Sequence, residues 1–100
     1  MSDPVIMVSE GTTPGYRWRQ YSVITDGRVA IVELLPAMLC GWKFHRVTVQ
    51  SHDDWGDRTR DQIVAYMRAS AYPPTMAPDL GVFRDELLAV AASGKIPERS

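Results

Sequence analysis

The stretch Tyr16–Leu35, YRWRQYSVITDGRVAIVELL, decides the fold. Two runs rich in aromatic and β-branched residues flank Asp26-Gly27, a dipeptide that favours a two-residue hairpin turn. Such a turn fixes the pairing, because Thr25 must face Arg28 and each step outward sets the next pair. One face then collects Trp18, Gln20, Ser22, Ile24, Val29, Ile31, Glu33 and Leu35. The other collects Arg19, Tyr21, Val23, Ala30, Val32 and Leu34. Neither is polar throughout, the pattern of central strands covered at least in part on both sides. Glu33 falls beside Gln20 and near Trp18, where a carboxylate needs a partner. Arg46, on the next strand, is the candidate.

Outward from this hairpin, Val5–Ser9 reads as a short edge strand followed by a loop over Gly11–Gly15. Trp42–Val49 reads as another long strand, but its apolar positions change phase between Phe44 and Val47. A β-bulge near His45-Arg46 would bring Trp42, Phe44, Val47 and Val49 onto one face. Asp57–Ala71 has a helical stripe of Ile63, Val64, Met67 and Ala71, with capping residues at Ser51–Asp54 and a stop at Tyr72-Pro73-Pro74. A second helix is expected over Pro78–Ser93, buried through Leu80, Phe83, Leu87, Leu88 and Ala91 and closed by Gly94. The order β-ββ-β-α-α implies an α+β fold. The expected form is a small two-layer sandwich: a mainly antiparallel sheet of three or four strands with two helices packed on one face.

One hundred residues with a formal charge of −1 make one domain over 1–100, with 1–4 and 95–100 expected as flexible ends. Hydrophobic content of 45% with 23% charged residues is that of a globular chain, not a disordered one. No apolar run approaches the ~20 residues of a membrane span, and no basic start followed by an apolar stretch marks a secretory signal. Cys40 is the only cysteine, so no internal disulfide forms, and the expected compartment is the cytoplasm. Arginine outnumbers lysine nine to two, a bias of GC-rich coding that points to a bacterium or its phage. The charge is uneven along the chain. Residues 16–49 carry five cations and two anions, while residues 50–100 carry six cations and eight anions.

His45, His52, Asp53 and Asp54 are the residues that resemble metal ligands or an acid–base group. Their spacing fits a polar loop feeding a helix N-terminus better than a metal site, so no metal and no cofactor are expected. Cys40, between Leu39 and Gly41, reads as a small core residue rather than a nucleophile. No GxSxG, Walker, GxGxxG or HExxH pattern occurs, so catalysis has no positive support. The suggestive feature is the interleaving of aromatics and cations in YRWRQY (16–21) and WKFHR (42–46). Trp, Tyr and Arg dominate protein-interface hot spots, and the same types stack bases and hold phosphates. By the hairpin pairing, however, Arg17 and Arg19 lie opposite Trp18, which splits the motif across two faces.

The expected function is therefore a non-catalytic protein that binds another protein or a nucleoprotein complex. Small phage or mobile-element inhibitors of a host complex, of the anti-CRISPR type, share its size and lack of catalytic motifs. The candidate contact residues are Arg17, Trp18, Arg19, Tyr21 and Arg46 on the sheet, with Tyr72 in the proline-stiffened connector. The alternative is a small nucleic-acid-binding domain using the basic aromatic segment, and a third class is a small hydrolase around His52 and Asp54. No membrane partner is expected. Sheet edges leave room for a homodimer by strand addition.

Overall fold

The computed structural model describes residues 3–38, 41–71 and 73–97. Strands β1 (Val5–Thr13), β2 (Tyr16–Thr25), β3 (Arg28–Pro36) and β4 (Trp42–Gln50) form an antiparallel meander. A two-residue strand, β5 (Thr75–Met76), pairs with β1 at Met7 and Val8, giving the order β4-β3-β2-β1-β5. The helices are α1 (His52–Trp55), α2 (Arg60–Arg68) and α3 (Val82–Ser93). The fold is α+β, with five strands among the described residues where three or four were expected.

Asp26-Gly27 makes the expected turn: Gly27 has φ +67°, Thr25 faces Arg28, and Gln20 faces Glu33. The turn also anchors α2. The Asp26 carboxylate accepts the Arg60 amide at 2.7 Å, and the Gly27 amide donates to the Arg58 carbonyl at 2.8 Å. One orphan amide at the start of α2, and the carbonyl just before its cap residue, are thereby tied to the hairpin turn. The bulge lies where the phase change put it. Arg46 faces Glu33 and Phe44 faces Leu34, so His45 is the extra residue. Trp42, Phe44 and Val47 thus join one core face, with Val49 opposite Ala30 on the same side.

The sheet is packed on both faces, which corrects the expectation of two helices on one side. On the first face, Ile6, Val8, Tyr21, Val23, Ala30, Val32 and Leu34 pack against Leu87, Val90 and Ala91 of α3. On the second, Met7, Ile24 and Val29 pack against Ile63 of α2, with Val5, Ile31, Trp55, Val64 and Met67 around them. The reason lies in the strands: Met7, Ile24 and Val29 are fully buried on the opposite pleat from Ile6, Val23 and Ala30. Such positions need a second apolar layer. The sheet and α3 form the main pair of layers, and α2 adds cover at one end of the other face.

Helix boundaries moved for local reasons. Gly56, with φ +61°, ends α1 and separates it from α2. A capping box of Thr59 and Gln62 then starts α2 at Arg60 rather than Asp57. Gly81, with φ +56°, delays α3 to Val82, and the Asp79 carboxylate accepts the Gly81 amide. Gly94 closes α3 in the left-handed region, as expected. The Arg28 guanidinium donates to the Ala91 carbonyl at 2.7 Å, which favours the negative end of the α3 dipole. At the N-terminus β1 continues through Thr13 rather than ending at Ser9. Gly11 is tolerated within it because the Trp18 indole of β2 lies over it; a Cβ there would sit 2.3 Å from Trp18 Cζ2.

Candidate functional site

The second sheet face is covered by α2 at one end and left open at the other among the described residues. On the open half, alternation along β2 places Tyr16, Trp18 and Gln20; β3 contributes Glu33 and Leu35, and β4 contributes Arg46. These residues, with Thr13 and His45, line a shallow depression of about 270 Å³; Arg19 and Leu34 also border it, although alternation turns their side chains to the other face. Arg46 is held by a forked contact: its Nε and Nη2 donate to the Glu33 carboxylate at 3.2 and 3.0 Å. Arg46 remains largely exposed while Glu33 is mostly covered. The partner assigned to Glu33 from the sequence is therefore the one it has. The guanidinium so held and the Trp18 indole line the same depression, which gives it a mixed polar and aromatic surface.

Arg17 and Arg19 stand on the other face, with α3. Their guanidinium carbons lie 5.4 and 4.4 Å from the Trp42 ring centroid, within cation–π range. Arg19 also donates to the Glu10 carboxylate at 3.1 Å. Tyr21 is only 5% exposed, and its ring tilts against Phe83 at 5.6 Å. It serves the core and offers no contact surface. Tyr72 and Cys40 lie outside the described residues. The five described candidates thus do not converge. Trp18 and Arg46 share the open half, Arg17 and Arg19 share the opposite face, and Tyr21 is buried.

Among the described residues, no group of three His, Cys, Asp or Glu side chains is placed to hold a metal ion. His52 instead contacts Asp57, at 3.5 Å. A larger open groove, about 1060 Å³, runs between α3 and the start of β4, with Trp42, Phe44, Val90 and Ile96 in its walls. No described helix is long and apolar enough to cross a membrane.

Tyr16, Gln20, Glu33 and Leu35 belong to the open half but were not among the candidate contacts. The register set by Asp26-Gly27 already placed Gln20, Glu33 and Leu35 beside Trp18. The position of α2 was the missing information, since it decides which part of that face is covered. Comparison with protein-family models, curated proteins and solved structures finds no match.

Proposed function

We propose that this chain is a non-catalytic docking protein that binds another protein through the open half of its second sheet face. One observation carries the reading: α2 covers Met7, Ile24 and Val29 but leaves Trp18 and the Arg46–Glu33 pair uncovered by any described helix. Trp, Tyr and Arg are the residue types that supply most hot-spot energy. Side chains mounted on paired strands lose little freedom on binding, which favours a tight complex. The finer reading is a small phage or mobile-element inhibitor that blocks a host protein or nucleoprotein complex in the bacterial cytoplasm. Its support is the small single domain, the arginine-rich composition and the rigid surface. Nucleic acid is the less favoured partner. The arginines are divided between two faces, and Arg46 and Arg19 each spend charge on a carboxylate.

The test is capture of a stoichiometric partner from host lysate by the immobilised chain. Trp18→Ala and Arg46→Glu should each weaken capture about thirtyfold, the effect of losing a hot spot of roughly 2 kcal/mol. Arg84→Glu on α3 should leave it unchanged. Failure to recover a partner, or a partner indifferent to both open-face variants, overturns the reading. Retention on a single-stranded oligonucleotide that falls steeply with salt would support the nucleic-acid alternative instead.

A further inference from the structure

The two edges of the sheet are guarded differently. On one side β5 pairs with β1 at Met7 and Val8, and Pro73 borders the same surface depression as Ser9 and Glu10. On the other, β4 presents its whole outer edge with no strand against it among the described residues. Exposed edges are normally blunted by charge, by proline or by a bulge. The first half of β4 has such devices: Lys43, Arg46 and the bulged His45. The second half, Val47-Thr48-Val49-Gln50, has none. Val49 packs towards Gly94 at the end of α3, yet 39% of it stays exposed.

We propose that two copies of this chain pair antiparallel along the second half of β4, with the two-fold axis at Thr48. In that register Thr48 faces its own counterpart, Val47 faces Val49, and Arg46 faces Gln50. The valines meet on the face that carries α3, since Val47 and Val49 stand opposite Val32 and Ala30. Cross-strand pairs of β-branched residues stabilise such a ladder, and no like charges face each other. Beyond the paired segment the charges are complementary. The cationic first half of β4 in one copy runs alongside α1 of the other, whose first turn carries Asp53 and Asp54. Among the described residues, Lys43, Asp53 and Asp54 have no ion-pair partner within their own copy. One sheet then runs through both copies, and the unguarded edge is removed.

The experiment is light scattering over a concentration series, using exposed Thr48 as a self-facing reporter. The wild-type chain is expected at the mass of two chains. Thr48→Lys and Thr48→Glu should each fall to the mass of one, because each sets like charges across the axis. An equimolar mixture of the two variants should return to two chains, which also shows that both remain folded. A wild type that stays single throughout overturns the proposal. So does a dimer indifferent to Thr48→Lys, or a mixture that fails to re-pair. The docking surface is read separately through Trp18 on β2, which lies outside the paired segment, whereas Arg46 faces Gln50 within it.

Discussion

At the scale of single residues, the contact between Trp18 and Gly11 shows how one side chain shapes both fold and site. Glycine weakens a strand because it packs nothing and gives up much freedom on folding. Here the indole of the facing residue fills that place, so β1 stays paired through Thr13 and Trp18 is held flat on the open face. Gly11→Ala would drive a methyl group to within 2.3 Å of the ring. Displacing the indole is expected to cost about 1–3 kcal/mol, the range for overpacking. In chemical denaturation, Gly11→Ala combined with Trp18→Ala should cost less than the sum of the two singles, because the smaller side chain frees the space. Additive costs would show that the two residues do not share this contact. The Arg46–Glu33 pair differs in kind. It is forked but largely solvent-facing, so its value lies in orienting Arg46 more than in stability.

At the scale of elements, the β-hairpin and the helices differ in how much of their reason is local. The turn, the full register of β2 against β3 and the bulge in β4 all follow from residue type and phase. The helix starts were less legible. Gly81 adopts positive φ inside the helix expected over Pro78–Ser93 and shortens it, while Gly56, also at positive φ, sets α1 apart as a separate turn. The capping box at Thr59-Gln62 lies downstream of Ser51–Asp54, where the sequence placed the capping residues. Two caps meet at the start of α2, one from Thr59 and one from Asp26 across the hairpin turn. Thr59→Ala should therefore cost about 1 kcal/mol in denaturant unfolding, the usual value of an N-cap. Asp26→Ala should add a separate loss, because it accepts a different amide. If Thr59→Ala were neutral, the capping box would not be what starts α2.

At the scale of the whole molecule, two apolar layers on opposite sides of one sheet support each other only through the strands between them. Leu87 and Ile63 are both fully buried, one on the sheet-facing side of α3 and one on that of α2. Leu87→Ala is expected to cost about 2–5 kcal/mol and Ile63→Val about 0.5–1.5 kcal/mol. Because they lie in separate clusters, the double variant should be additive within about 0.5 kcal/mol in chemical denaturation. Strong coupling would mean that the two faces form one core.

The chain by itself determined what depends on neighbours in sequence. It specified the Asp26-Gly27 turn, the pairing of Gln20 with Glu33, the bulge at His45, the split of Arg17 and Arg19 from Trp18, and the α+β class. These follow because a two-residue turn and a two-residue pleat leave no freedom once the first pair is set. Only the tertiary structure decided which face each helix covers, that Tyr21 belongs to the core, and that Trp18 and Arg46 remain on an open half-face. Apolar spacing shows that a helix must bury a stripe, but both faces of this sheet carry apolar residues able to receive it. The choice shows in tertiary contacts: α2 is pinned to the hairpin turn through Asp26 and Gly27, while on the other side Arg28 bonds the last turn of α3 and Val49 packs at Gly94.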